Sequence, residues 1–276
     1  MKIDAHQHFW IYDPVRDSWI DDSMKVLQKN FLPEMLVPIL EQYNFDGCIA
    51  VQADQSEIET QFLLDLASKN TVVKGVVGWV DLCADTVEDR LAHFSKNKLF
   101  KGVRHIVQAE ANDFMLRTDF QNGISKLEQF GLTYDILIIP EQLPAVIELA
   151  QKFPKQQFVI DHIAKPSIKD AKMDDWKDNM KALSRFPNVF CKVSGMVTEA
   201  DWENWTPKDF TKYLDVILDA FGVDRVLYGS DWPVCLLAAK YGEQLDVLER
   251  YISHLSEGQI TNIMGDNAIK FYNLNP

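Results

Sequence analysis

Cysteine is scarce in this sequence, and the few cysteines present do not form a framework. They lie at positions 48, 83, 191 and 235, and no two of them have a C-x-x-C spacing. Free thiols in a reducing compartment explain this usage better than disulfides do. The N-terminus also lacks a basic segment followed by an apolar one, and no apolar run approaches the length of a membrane span. We therefore expect a cytoplasmic protein without a membrane partner.

Basic clusters and glycine-rich loops are missing as well. The formal net charge is −13 and the isoelectric point about 4.9, and no run of Lys and Arg could follow a phosphate backbone. No predicted strand is followed by a Gly-rich phosphate loop, which removes the main argument for a nucleotide-binding sheet. Nucleic acid is therefore not an expected partner, and small molecules are better candidates. The sequence does not predict an oligomeric state.

The composition is that of a globular protein. Hydrophobic residues make up 47% of the 276 positions and charged residues 25%, which is enough to bury a large core. Because no linker or low-complexity segment interrupts the chain, residues 1–276 are predicted to form a single domain.

Apolar runs of strand length alternate with helical patterns along the whole chain. After an opening strand that carries His6 and His8, the predicted strands are residues 45–52, 72–80, 100–105, 132–139, 158–162, 188–194 and 223–231. Near-continuous apolar strands are typical of parallel sheets that are covered on both faces. Eight such strands in this length favour a single (β/α)8 TIM barrel of the α/β class over an open, doubly wound sheet.

Two histidines in the opening strand are the first candidates for chemistry. Because alternate side chains of a strand share a face, His6 and His8 are expected to point the same way and could chelate a metal ion. A chance pair is the alternative, since the chain has six histidines. The residues at the ends of the later strands distinguish a functional pair from a chance pair, because active sites of such barrels lie at the carboxyl ends of the strands.

Polar or aromatic residues do occur at the ends of the other predicted strands. They are Gln52, Trp79, Arg104, His105, His162, Lys192, Ser194 and Asp231. Each has a structural alternative when considered alone: a histidine can pair with a neighbouring carboxylate, an aspartate can cap a helix, cations can form ion pairs, and tryptophans can be core residues. Three histidines and an aspartate at strand ends nevertheless indicate a functional site.

Five motifs in chain order resemble one protein family. They are His6-x-His8, Gly102-Val103-Arg104-His105, Asp161-His162-Ile163-Ala164-Lys165-Pro166, Lys192-Val193-Ser194-Gly195 and Gly229-Ser230-Asp231-Trp232-Pro233. This ordered set is similar to the amidohydrolase superfamily, in particular to its branch of sugar lactonases, such as L-fuconolactonases and L-rhamnonolactonases, and of 2-pyrone-4,6-dicarboxylate lactonases. The resemblance implies a hydrolase that opens a sugar lactone to the sugar acid with an activated water.

The resemblance also implies a metal site. It predicts one divalent ion, zinc in the first place and manganese as an alternative, while activity without metal stays open. The ligands that it implies are His6, His8, His162 and Asp231. A two-metal centre is not expected, because the fourth strand offers Arg104 and His105 in place of a bridging lysine, and the fifth has no histidine in residues 133–136.

The remaining roles follow from the chemistry of lactone opening. Catalysis is assigned to Asp231, His162 and His105, with Asp231 as the general base that takes a proton from water and returns it to the leaving oxygen. The predicted substrate contacts are Trp10, Gln52, Trp79, Arg104, His105, Lys192 and Trp232. A single arginine at the expected rim favours a neutral sugar lactone over a dicarboxylate. Two alternatives stay open: a metal-dependent decarboxylase of the same superfamily, and a non-catalytic binding barrel.

Overall fold

Eight parallel β-strands form the centre of the structure. It is a computed structural model that describes residues 1–274, apart from the side chain of residue 174. Each strand pairs in parallel with the next one in the sequence. The strands are β1 (Ile3–Gln7), β2 (Gly47–Val51), β3 (Val73–Gly78), β4 (Phe100–Ile106), β5 (Thr133–Leu137), β6 (Phe158–Ile160), β7 (Val189–Val193) and β8 (Val226–Tyr228). The prediction of a (β/α)8 TIM barrel is confirmed.

Helices connect the strands and cover the outside of the barrel. They are α1 (Pro33–Gln42), α2 (Glu57–Lys69), α3 (Val87–Phe94), α4 (Thr118–Leu127), α5 (Leu143–Lys152), α6 (Asp174–Leu183), α7 (Pro207–Phe221), α8 (Tyr241–Ile252), α9 (Glu257–Thr261) and α10 (Asn267–Phe271). The start of α7 is fixed by Pro207 in its first turn and by Asp209, whose carboxylate accepts the N–H of Thr206 at 2.7 Å. Among the described residues, none of these helices has the length and apolar character needed to cross a membrane.

Most strands are shorter than predicted, and for two of them the difference affects site residues. β6 ends at Ile160 and β8 at Tyr228, although the predicted strands extended to residues 162 and 231. His162 and Asp231 have φ angles of 52° and 54°, in the left-handed region, which an extended strand excludes. The strands therefore stop early, and these two predicted site residues lie on the turns that follow them.

An extra residue in β1 changes the direction of its side chains. Asp4 pairs with Cys48 and Gln7 with Ala50, so three residue steps of β1 match two of β2. Such a bulge interrupts the alternation between the two faces of a strand. As a result the side chain of His6 points into the barrel, on the same side as that of the residue before it. The side-chain amide of Gln7 turns outward and donates to the sulfur of Cys48.

The last helix and the residues after it, as far as residue 274, close the amino-terminal end of the barrel. The apolar cluster inside the barrel joins strand residues to the last helix and the residues after it; its members are Ile3, Ala5, Ile49, Val51, Val77, Val159, Phe190, Leu227, Ala268, Phe271, Tyr272 and Leu274. Tyr272 is 1% exposed, and its hydroxyl donates to Oδ2 of Asp135 on β5 at 2.7 Å. The Nζ atom of Lys192 lies 5.6 Å from the centre of the same ring. Tyr272 therefore brings a polar group into the barrel interior from its closed end.

We predict that Tyr272→Phe lowers the free energy of unfolding by about 1–3 kcal/mol, because it removes a hydrogen bond from a buried carboxylate. Tyr251→Phe is the matched control, since the hydroxyl of Tyr251 bonds Asp215 at an exposed position. Urea denaturation of both variants measures the difference. Equal losses in the two variants would contradict a special role for the buried hydroxyl.

Candidate active site

Three histidines and an aspartate meet at the carboxyl end of the barrel. Oδ1 of Asp231 lies 3.3 Å from Nε2 of His8 and 3.9 Å from Nε2 of both His6 and His162. All four residues are at most 4% exposed. The four residues that the sequence marked as metal ligands thus converge on one point.

Two of these rings have the position of their proton fixed by neighbouring groups. Nδ1 of His8 lies 2.8 Å from the carbonyl oxygen of Val51, which only accepts, so Nδ1 carries the proton. Nδ1 of His6 lies 3.3 Å from Oδ1 of Asp161 and 3.1 Å from the ammonium of Lys192, so this side of the ring alone does not place the proton. Nε2 of the same ring faces the guanidinium of Arg104, which only donates, at 3.3 Å, and this contact favours a lone pair at Nε2. Both rings therefore present a lone pair at Nε2, as metal-binding histidines do.

A left-handed turn presents the third histidine. The four consecutive residues from His162 to Lys165 have φ angles between 48° and 60°, which costs roughly 1–2 kcal/mol for each L-residue. The N–H of Lys165 closes the turn on the carbonyl of His162 at 2.8 Å, and the indole of Trp176 donates to the carbonyl of Ile163 at 2.7 Å. Oγ of Ser194 lies 3.0 Å from Nδ1 of the histidine. These contacts offset the strain and direct the ring into the site.

A network of buried charges supports the histidines from the side of the closed barrel end. Nζ of Lys192 lies 2.9 Å from Oδ1 of Asp161 and 2.5 Å from Oδ2 of Asp135, and Arg104 lies 3.2 Å from Oδ2 of Asp161. The four side chains are at most 3% exposed. Because buried charges are tolerated only when they are paired, the two cations hold Asp161 in place against His6.

Burial keeps His6 and His162 neutral. It is the main cause that lowers the pKa of His6 well below its ordinary value, and the ammonium of Lys192, 3.1 Å from Nδ1, acts in the same direction. Burial likewise lowers the pKa of His162 to about 4. For Asp231, burial acts to raise the pKa, but interactions with His162 and His8 hold it below its ordinary value. The site therefore combines neutral imidazoles with an ionised carboxylate.

These groups fit a divalent metal ion. Among the described residues, the donor atoms of His6, His8 and Asp231 lie within 4.8 Å of one another, and so do those of His6, Asp161 and His162. The first set is better suited to a metal, because the carboxylate of the second is already paired with two cations. Two imidazoles and one carboxylate with an open position are a common zinc-binding set.

Most of the predicted substrate contacts are buried. Arg104 and Lys192 are 3% and 0% exposed and bind carboxylates, and Gln52 is 0% exposed and donates to a main-chain carbonyl. Trp10 and Trp232 are 3% and 2% exposed, and both pack edge-on against the same phenylalanine ring. These five side chains already have partners inside the protein, and their role as substrate contacts stays a prediction.

Trp79 and His105 are the other two predicted contacts, and they form a rim group with Glu110. The indole of the half-buried Trp79 donates to Nδ1 of His105 at 3.3 Å, and Nε2 of His105 lies 3.1 Å from the exposed Glu110. Adjacent residues of a strand point to opposite sides, so His105 faces away from the barrel axis toward which Arg104 points. The catalytic role of His105 stays a prediction, and its contacts are with the rim group.

Sequence reasoning did not assign site roles to the acidic residues that organise this region. Asp4, Asp135 and Asp161 are each 0% exposed. Each lies within or directly after a strand that has no other acidic residue. A lone acidic residue in a predicted strand is the signal that could have found them, because a buried carboxylate requires hydrogen-bond or charge partners.

Comparison with known proteins agrees with this geometry. Residues 3–274 match the protein family described as amidohydrolase. The chain therefore belongs to the amidohydrolase family, as its motifs predicted.

Two bacterial relatives are similar to this chain over nearly their whole length. A protein of Burkholderia multivorans named L-fucono-1,5-lactonase is 38% identical, with 99% of this chain and 96% of that protein covered. A protein of Burkholderia ambifaria with the same name is 33% identical, with 99% and 96% covered. The crystal structure of an amidohydrolase from Burkholderia multivorans with bound zinc has a TM-score of 0.96 and 37% identity, and 100% of each chain is covered.

We predict that Gly195→Ala destabilises the protein more than Gly131→Ala does. Both glycines have left-handed backbones, with φ angles of +59° and +65°, so a side chain is similarly strained at each. Only at position 195 would the new Cβ crowd another group, at 2.5 Å from Nδ1 of His162, whereas nothing lies within 4 Å at position 131. We expect an additional loss of about 1–3 kcal/mol in urea denaturation. The same loss in both variants would show that the histidine ring yields freely.

Proposed function

We propose that this protein hydrolyses sugar lactones and that L-fucono-1,5-lactone is the first candidate substrate. The observation that carries the proposal is one ionised carboxylate, Asp231, facing three histidines at the carboxyl end of the barrel. The two full-length relatives named L-fucono-1,5-lactonase support the same chemistry. The protein is thus a hydrolase that acts on a cyclic ester.

Asp231 performs the proton transfers in this proposal. Its Oδ1 faces the histidines, which leaves Oδ2 to accept a proton from the attacking water. The water oxygen bonds to the carbonyl carbon of the lactone, and the bond between that carbon and the ring oxygen then breaks. The carboxyl group returns the proton to the ring oxygen, so the product is the open hydroxy acid.

The histidines orient this carboxylate and offer lone pairs to a cation. The hydrogen bonds of His6 and His8 favour a lone pair at Nε2 of each ring, and a lone pair binds a cation and not a carbonyl oxygen. A divalent ion held by His6, His8 and Asp231 would supply a Lewis acid for the lactone carbonyl. We propose zinc for this site, with manganese as the alternative. Activity without metal would require a proton on one of the imidazoles.

The charges around the site favour a neutral substrate. Arg104 and Lys192 both neutralise buried carboxylates, so their charge is not available to a carboxylate of the substrate. We assign the contacts with sugar hydroxyls to the rim group of Trp79, His105 and Glu110. An indole N–H, an imidazole and a carboxylate together offer both donors and acceptors.

We propose that residues 1–276 work as one catalytic domain in the cytoplasm. The side chains of the site and its charge network come from β1, β4, β5 and β7 and from the turns after β6 and β8, so the site needs strands from the whole barrel. The four cysteines are free, as is common in a reducing compartment.

Proton release in weakly buffered indicator solution tests the proposed activity. The panel contains L-fucono-, L-rhamnono-, L-galactono- and D-arabinono-lactones, offered with zinc, with manganese and without added metal. We expect acidification with L-fucono-1,5-lactone. Release of carbon dioxide from an aromatic acid would instead indicate a decarboxylase, and lactone binding without turnover would indicate a binding barrel.

We predict that Asp231→Asn lowers kcat by about 10²–10⁴-fold and leaves KM nearly unchanged, because proton transfer is lost while substrate contacts remain. Asp215→Asn is the control, since Asp215 lies on the exposed face of α7 and is expected to retain normal turnover. Steady-state kinetics on the active lactone measure both variants. Near-normal turnover of Asp231→Asn would discard the general-base assignment.

A further inference from the structure

We infer that Asp4 is a positioning residue that fixes the backbone of His6 against the backbone that carries Asp231. The inference deepens the proposed function and rests on it only where turnover is measured. Asp4 is 0% exposed, and its carboxylate contacts α8 on the outer side of the barrel wall. It therefore acts on the site through the main chain and not by contact with substrate.

Asp4 acts at the place where β1 meets the end of β8. The two strands meet there through an isolated bridge and not a continuous ladder. The N–H of Asp231 donates to the carbonyl of His6 at 2.8 Å, and the N–H of His8, the residue after β1, donates to the carbonyl of Trp232 at 2.7 Å. The N–H of Ser230 donates at 2.8 Å to Oδ1 of Asp4. A side-chain carboxylate thus takes the place that a main-chain carbonyl has in an ordinary ladder.

The same oxygen of Asp4 also holds the bulge in β1. Oδ1 accepts the N–H of His6 at 3.2 Å. The extra residue of β1 lies in this interval, between Asp4 and Gln7. One carboxylate oxygen therefore ties the bulge that turns His6 inward to Ser230, the residue that precedes Asp231.

The second oxygen fixes the carboxylate itself. Oδ2 accepts the hydroxyl of Tyr241, at the start of α8, at 3.1 Å. With both oxygens bonded, the side chain cannot rotate without leaving a buried polar group unpaired. Asp4 is therefore a rigid link between β1, the turn after β8 and the helix outside them.

The separation of His6 and His8 from Asp231 depends on this link. Their Nε2 atoms lie 3.9 and 3.3 Å from Oδ1 of Asp231, and a misplacement of about 1 Å in such a constellation lowers a rate by roughly 10²-fold. Without the acceptor, the N–H groups of His6 and Ser230 lose their common partner. The two segments can then shift relative to each other.

Three variants of the full chain test the inference. Asp4→Ala removes the acceptor, whereas Asp4→Asn keeps an oxygen at the position of Oδ1 and is the rescue variant. Asn267→Ala is the control for a general loss of stability, because the buried amide of Asn267 bonds the carbonyls of Val223 and Val226 at the other end of β8. Each variant is measured for zinc affinity by calorimetry, for amide hydrogen exchange at Ser230, for its thermal midpoint, and for kcat and KM on L-fucono-1,5-lactone.

For Asp4→Ala we expect zinc binding weaker by at least about tenfold, a comparable fall in kcat with little change in KM, and faster exchange at Ser230. In Asp4→Asn we expect zinc affinity, kcat and the exchange rate at Ser230 to return most of the way to the values of the unchanged protein. Asn267→Ala should lower the thermal midpoint and leave zinc affinity, kcat and exchange at Ser230 unchanged.

Unchanged zinc affinity and unchanged exchange in a folded Asp4→Ala variant would overturn the inference, as would equal losses in Asn267→Ala. If Asp4→Ala does not fold, Asp4→Glu replaces it. The longer side chain keeps the acceptor but displaces it, so the same losses are expected, and their absence counts equally against the inference. Zinc binding and hydrogen exchange can be measured without substrate. If the protein hydrolyses no lactone, the proposed function is rejected, and these two measurements still decide the role of Asp4.

Discussion

The site depends on how a barrel interior that excludes water tolerates charge. Asp161 is stable there because Arg104 and Lys192 both pair with it, and Lys192 extends the pairing to Asp135. In the described part of the chain, the ion partners of Asp231 are histidines, and burial disfavours the charged form of two of them, His6 and His162. Asp231 is therefore the carboxylate whose charge stays available to a metal ion or a proton, which is what a hydrolytic site requires.

The side chains of the site stand on irregular backbone, although the barrel around them is regular. A bulge turns His6 inward, a left-handed turn presents His162, and Asp231 has a left-handed conformation. Backbone of this kind is unfavourable by itself and persists where the surrounding structure determines it. Here the regular strands and their hydrophobic layers supply that stability, while the irregular positions bring the side chains to a common point.

The fold and the outline of the site could be predicted from the sequence, because a parallel barrel needs continuous apolar strands and gathers their carboxyl ends on one face. The four candidate metal ligands were found in this way. The burial of Lys192 could not be predicted in this way, because its partners lie on β5 and in the turn after β6, and no local pattern encodes such pairing. The opposite directions of Arg104 and His105 do follow from strand alternation, and the sequence contained that information.

The contact between Tyr272 and Asp135 joins residues that are 137 positions apart. During synthesis on the ribosome, Asp135 emerges long before Tyr272 does, and β1 emerges long before the turn after β8 that it must meet. A nascent chain therefore exposes a barrel wall whose interior polar groups still lack their partners. Such distant pairings delay folding, so the interior of this protein can close only after translation has delivered its last helix.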